Sequence, residues 1–276
     1  MSGVQADVNY VRNEPARAGE TLEFVPHAQE RNTMVTLPGE PMWISDARGL
    51  ETDLDREGFV LVRHVSAVAD FDAIQADPLV DQRYVDEMSA LLAEVTGASR
   101  TVMLWGAKKR YGESQVDKLA GLPNAEPARY PHADNTDASS EAQAAMVMEH
   151  FGVAPGRRWA LYNLWRACTP PPQDFPLAVC DARTLGPDDE ITVTALTIEL
   201  GDRRVRHDTT GYRHNPAHRW CYFPAMTRDE VLVFKTHDSD PARAHRVAHT
   251  AFTDPTCPPG VPTRASVEIR GLAVFD

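Results

Sequence analysis

Cysteine is scarce in this chain: its 276 residues hold four, Cys168, Cys180, Cys221 and Cys257, and no two form a Cys-x-x-Cys pair. That argues against a disulfide-framed scaffold and a thiolate-bound structural zinc, and the expectation is a reduced, cytoplasmic protein. Long apolar runs are missing, with none near the roughly 18–20 residues that span a bilayer. Met1–Arg12 has no basic stretch leading into an apolar one, so no secretory signal is expected. Basic charge is in deficit, 28 Lys and Arg against 40 Asp and Glu, for a net charge of -12. Nucleic acids and anionic membranes are held by a net basic face, so neither is expected as a partner. The phosphate-cradling Gly-x-Gly-x-x-Gly and Gly-x-x-x-x-Gly-Lys-[Ser/Thr] loops are also absent, which weighs against a nucleotide cofactor. What is present, 42% hydrophobic and 25% charged residues, is the balance of a globular chain long enough to bury a core unaided.

Prolines at 15, 26, 38 and 41 interrupt residues 1–50, which are expected to form an extended arm with short strands near Thr21–Val25 and Asn32–Leu37. Trp43 and Ile44 call for burial and should dock its end. The body, residues 51–276, opens with the β-rich run Phe59–Val62. Val85, Met88, Leu91, Leu92 and Val95 then mark one face of a helix over Asp81–Val95, stopped by Gly97. A strand is expected at Thr101–Trp105 and a second helix at Ser139–Phe151, with Asp137 as its cap. Beyond residue 157 short apolar runs alternate with turn residues, giving strands at Trp159–Ala167, Leu177–Cys180, Ile191–Leu200, Arg219–Phe223, Val231–Thr236, Val247–Phe252 and Ser266–Phe275. Such a succession predicts a mainly β fold with flanking helices, a sandwich or barrel rather than a parallel α/β sheet.

The segment Tyr130-Pro131-His132-Ala133-Asp134 carries the most chemistry. On an extended chain the side chains of a His-x-Asp pair point the same way, so one imidazole and one carboxylate can reach one metal ion. A second imidazole completes a two-histidine, one-carboxylate face that leaves the remaining positions open, the set suited to non-haem Fe(II) oxygen chemistry. Among the other histidines, His249 sits on the alternating run Arg246–Phe252, and a rigid strand positions a ligand better than a loop; His237, beside a strand end, is the rival. His207, His214 and His218 fall in a polar stretch read as loop. Fifteen residues after His249 comes Arg264-Ala265-Ser266. The planar guanidinium fork and a hydroxyl are what a dicarboxylic 2-oxo acid chelating the metal would need for its distal carboxylate. Arg270, on the same face of the last strand, is the alternative anchor.

Other polar side chains lie on expected strands. Asn163 and Trp165 share one face of Leu161–Arg166 and Arg166 takes the other, with either face free to be the inner one. Tyr222, in the aromatic run Arg219–Phe223, is a candidate pocket wall. A zinc hydrolase using the same three ligands with a bound water, and a metal-free jelly-roll binding module, are the competing readings.

Several blocks together resemble a known family: Asn163-Leu164-Trp165-Arg166, Pro176–Arg183, Asn215–Pro224, Asp229–Lys235, His249–Pro255 and Arg264–Arg270. They are similar to the AsaB-like hydroxylase/desaturase family, which includes the CmcJ-type proteins, over residues from about Asp53 to the C-terminus. The resemblance implies a double-stranded β-helix (jelly-roll, cupin-like) fold. It also implies hydroxylation, desaturation or oxidative cyclisation of a small secondary metabolite, using Fe(II), O2 and 2-oxoglutarate as cosubstrate, with succinate and CO2 as co-products. In that scheme His132, Asp134 and His249 hold the metal, Arg264 and Ser266 take the cosubstrate, and Trp165 stands beside it. Asn163, Arg166, Tyr222 and His237 are then the expected substrate-facing residues. The expected partners are that small molecule and O2, with a homodimer as the assembly to test.

Overall fold

The computed structural model describes residues 2–12, 23–24, 38–112, 127–154, 156–199 and 203–276. In chain order the elements are β1 (Gly3–Val8), β2 (Glu23–Phe24), β3 (Glu40–Asp46), β4 (Phe59–Arg63), α1 (Pro78–Thr96), β5 (Arg100–Tyr111), β6 (His132–Ala133) and α2 (Asp137–His150). There follow β7 (Arg158–Ala167), β8 (Leu177–Cys180), β9 (Glu190–Glu199), β10 (Arg203–Tyr212), β11 (Trp220–Tyr222), β12 (Glu230–Asp238), β13 (His249–Ala251) and β14 (Ala265–Phe275). Nine strands pair in the order β1-β3-β11-β8-β13-β6-β10-β9-β2, and five in the order β4-β12-β7-β14-β5. Trp165, Leu232 and Phe234 of the smaller sheet pack on Val179, Cys221 and Phe223 of the larger side, forming the apolar layer between them. This is the jelly roll that the strand-rich second half and the family resemblance implied.

The helices close the ends and back of this sandwich. α1 begins at Pro78, three residues before the expected Asp81, because Asp77 caps it by accepting from the Leu79 N–H and proline is pre-set for the first helical position. It ends where Gly97 adopts φ 67°. Tyr84, Met88, Leu91 and Leu92 are buried against Tyr162, Leu164, Val233 and Ile269 on the outer face of the five-stranded sheet. Each contributes roughly 1.5–3 kcal/mol by burial. α2 is capped by Thr136 rather than Asp137. Thr136 is still extended, so Asp137 is the first helical residue and its carboxylate is free to face a neighbouring segment. Ala144 and Val147 of α2 pack on Leu104, Leu161 and Leu272.

Two stretches differ from expectation. Residues 203–212, read as loop, form β10, paired to β9 over ten residues; the ladder rather than an apolar pattern defines it, and it carries His207. Within the first fifty residues, β1 and β3 pair with one another and β3 runs parallel to β11, so these segments are strands of the larger sheet. Ile44 is fully buried there, but Trp43 is 51% exposed, because adjacent side chains on a strand leave by opposite faces. The expected strand near Thr21–Val25 corresponds to β2, and Asn32–Leu37 lies outside the described residues. Among the described residues no helix is long and apolar enough to cross a membrane.

Candidate active site

β6 is only two residues long, yet it is wedged between β10 and β13, with His132 directly opposite His249. The period of two then brings Asp134 back to the side of His132. The three side chains are buried, and their ligating atoms all lie within 4.8 Å of one another. His132 Nε2 and His249 Nε2 stand 3.9 and 4.0 Å from Asp134 Oδ1. Donors around a metal at bonds of about 2.0–2.2 Å sit roughly 3–3.6 Å apart, so small side-chain rotations close the set around an ion. Each member is held from behind. His132 Nδ1 lies 2.9 Å from the Tyr130 carbonyl; a carbonyl only accepts, so Nδ1 carries the proton and the Nε2 lone pair faces inward. Asn163 donates to Asp134 Oδ2 at 3.1 Å, which leaves Oδ1 toward the imidazoles.

The electrostatics suit a cation. Burial, then the neighbouring His249, pushes His132 down to about 3, and burial likewise lowers His249, so both rings are neutral and able to ligate. Burial alone would raise Asp134. The Arg270 guanidinium, donating to Oδ1 at 2.5 Å, overrides it and holds the carboxylate well below its usual range.

Beside this cluster lies a second buried charge. Arg264 lines the same pocket as His132, Asp134 and His249, and its guanidinium carbon sits 5.4 Å from the centre of the Trp165 ring. It is only 2% exposed, yet Nε and Nη1 have no hydrogen-bond partner, and neither has the buried Ser266 hydroxyl. A buried cation with idle donors is costly unless an anion fills the space. Glu268, in the same pocket, is already engaged by Arg110 at 2.8 Å.

The remaining expected residues divide. Asn163 and Trp165 are on the inner face, but Asn163 holds the Asp134 carboxylate instead of facing open space. Arg166 points the other way, beneath α1, where it donates to the carbonyls of His64 and Arg228 and contacts Tyr84 and the His64 ring; its donors are spent on structure, away from the pocket of His132. Tyr222 also lies on the wrong face: it pairs with Ala178, which pairs with Thr250, out of phase with His249, and its ring packs on Phe252 at 5.3 Å between centres. His237 joins Asp137 and His245 in a separate cluster, in a cleft that shares no lining residue with the pocket of His132. The contacts that Arg270 makes with Asp134 and Arg110 with Glu268 had no sequence signal, since the partners are 136 and 158 residues apart.

A jelly roll that gathers two imidazoles, one carboxylate and an idle arginine in one pocket has the donor set of a non-haem, metal-dependent oxygenase. The chain matches the family model described as Oxidoreductase/YMDC permease-like domain over residues 8–275. It is 31% identical over 292 residues to hydroxylase/desaturase efuI of Hormonema carpetanum, covering 99% of this chain and 95% of that protein. It is 30% identical over 223 residues to the Fe(II)/2-oxoglutarate-dependent dioxygenase nvfI of Aspergillus novofumigatus (strain IBT 16806), covering 80% of this chain and 77% of the other. The solved iron and alpha-ketoglutarate-dependent endoperoxidase NvfI superposes with a TM-score of 0.80 at 26% identity, over 99% of this chain and 98% of that one. The chain therefore belongs to the AsaB-like hydroxylase/desaturase family of Fe(II)/2-oxoglutarate-dependent dioxygenases. That membership decides against the hydrolase and binding-module readings of the same ligand set.

Proposed function

We propose that His132, Asp134 and His249 hold the Fe(II), and that Arg264 with Ser266 holds the distal carboxylate of 2-oxoglutarate. The protein is an Fe(II)- and 2-oxoglutarate-dependent dioxygenase that oxidises a small secondary metabolite, with succinate and CO2 as co-products. The observation that carries the residue assignment is Arg264: a buried guanidinium with two idle nitrogens in the pocket of the metal-ligand cluster has the chemistry of a carboxylate receptor.

When bound, iron and cosubstrate supply the oxidising chemistry through coupled O2 reduction and decarboxylation. The chain's residues supply position. The Tyr130 carbonyl fixes the His132 tautomer, and Asn163 fixes one Asp134 oxygen. Arg270 balances the charge of the carboxylate, which would be one of the metal's ligands. Phe234, its ring centre 4.7 Å from that of His249, and Trp165 beside Arg264 set aromatic surface against the cluster.

A soluble cytoplasmic enzyme acting on a small molecule, without nucleic acid or membrane as partner, fits the net charge of -12 and the four free thiols, of which Cys180 and Cys221 are buried. The test is an anaerobic titration of Fe(II) and then 2-oxoglutarate, followed by the visible charge-transfer band. A metabolite screen scored by succinate release then finds the substrate. Absence of the band in folded, iron-loaded protein would overturn the assignment.

A further inference from the structure

Asp137, His237 and His245 meet in a cleft of about 510 Å³ between α2 and the end of β12. Asp137 is the first residue of α2, His237 stands near the end of β12, and His245 lies on the strap leading to β13. Their ligating atoms lie within 4.8 Å of one another. His237 Nδ1 is 3.4 Å from Asp137 Oδ1, and His245 Nε2 is 2.8 Å from the same oxygen.

Two features shape this cluster as a set of ligands. First, His237 is 4% exposed, stacked on Trp159, and its Nδ1 is aimed at the cluster without a hydrogen-bond partner. Burial, followed by His245, pushes its pKa down to about 4, so at neutral pH the ring is uncharged. Second, His245 Nδ1 lies 3.1 Å from the Asp238 carbonyl and so donates to it, which directs Nε2 at the Asp137 carboxylate, 2.8 Å away. The Arg246 guanidinium lies beside them, bonded to Asp137 and 2.7 Å from His245 Nε2. The same guanidinium also bonds the Thr210 hydroxyl at 2.9 Å and stands 3.7 Å from Glu190, so other partners are within reach when a metal takes its place at His245.

We propose that Asp137, His237 and His245 form a second metal site, separate from the iron centre and taking a borderline divalent ion of the zinc class. Two imidazoles and a carboxylate are a zinc donor set, and bonds of about 2.0–2.2 Å around a tetrahedral ion put donors roughly 3.4 Å apart. The His237–Asp137 spacing of 3.4 Å already meets this. The His245–Asp137 pair opens by about 0.6 Å on rotation of an exposed carboxylate. Glu141, one turn along α2, lines the same cleft as a fourth donor or a partner for bound water. A zinc ion here ties the start of α2, three residues past Asp134, to the strap four residues before His249. It thereby braces the two segments that present the iron ligands.

The test counts zinc by equilibrium dialysis and elemental analysis in chelator-treated protein carrying His132→Ala and His249→Ala, which disables the first cluster. One equivalent is expected, falling to none when His237→Gln or His245→Gln is added, with the circular dichroism spectrum unchanged. Cobalt(II) in place of zinc should give visible bands of tetrahedral nitrogen and oxygen ligation that disappear with either glutamine. If the double-alanine protein does not fold, wild type is used, and two equivalents should fall to one. No zinc in the folded double-alanine protein overturns the proposal, as does zinc that persists in both glutamine variants. In the double-alanine protein the count is independent of whether the first cluster binds iron, and in wild type the reading is the loss of one equivalent with either glutamine.

Discussion

Replacing Arg264 with methionine should move stability and cosubstrate affinity in opposite directions. The guanidinium is 2% exposed, with two nitrogens unpartnered, and the nearby Glu268 is already paired to Arg110. Burial lowers its pKa to about 10, so it is still charged at neutral pH. Unsatisfied buried donors cost about 1–3 kcal/mol, more when charged, and replacing buried charge with an apolar side chain of similar volume is often neutral or stabilising by about 1–4 kcal/mol. Methionine keeps the unbranched stem over Trp165 and removes the charge. The ligand-free variant should therefore be more stable by about 1–3 kcal/mol, a Tm rise of a few degrees at this chain length. Binding of 2-oxoglutarate loses a charge-assisted bidentate pair, about 1.5–3 kcal/mol, which weakens it roughly 10- to 150-fold. Thermal unfolding with and without 2-oxoglutarate, on Fe(II)-loaded protein under anaerobic conditions, reads both effects. Wild type should gain stability with cosubstrate, and the variant should start higher and gain little. Wild-type cosubstrate affinity in Arg264→Met, with the charge-transfer band lost instead in iron-loaded Arg270→Ala, would refute the reasoning and make Arg270 the anchor.

Asn163→Leu frees one oxygen of Asp134 and should weaken Fe(II) binding about 10- to 100-fold; a direct Fe(II) titration measures this, and saturating iron should restore the 2-oxoglutarate band. Asp238→Ala removes a fully buried carboxylate that accepts from the equally buried Lys235 at 2.6 Å and from Arg158 at 2.5 Å, leaving both cations to share Asp55. Urea unfolding should show a loss of about 3–5 kcal/mol, as for a broken buried pair. His64 is depressed below its ordinary 6.5 by burial and then by the Arg166 guanidinium, which donates to its Nδ1. A folded value below the unfolded one means that the unfolded chain binds the extra proton first. Stability should therefore fall as pH drops through and below 6.5, and His64→Gln should flatten that slope by up to one proton in pH-dependent thermal unfolding.

Much of the site was legible along the chain because its parts are local. His132 and Asp134 share a face through the period of two alone, and the same period aligns Arg264, Ser266 and Arg270. The apolar spacing of Val85 to Val95 located α1, and the turn-punctuated strands after residue 157 indicated a β sandwich. Periodicity, however, states which residues lie together without stating which face is inward. Only the pairing of β11 with β8 and of β8 with β13 set Tyr222 against Phe252 and away from His249, and only the packing of α1 on β7 turned Arg166 to backbone carbonyls on the outside. The polar strand β10 escaped notice because its order comes from a backbone ladder with β9 rather than from apolar side chains. Asn163 on Asp134, Arg270 on the same carboxylate, and the meeting of Asp137 with His237 and His245 join residues 29, 136, 100 and 108 positions apart. Contacts of that range are settled by how the two sheets close on one another, and no local preference encodes them.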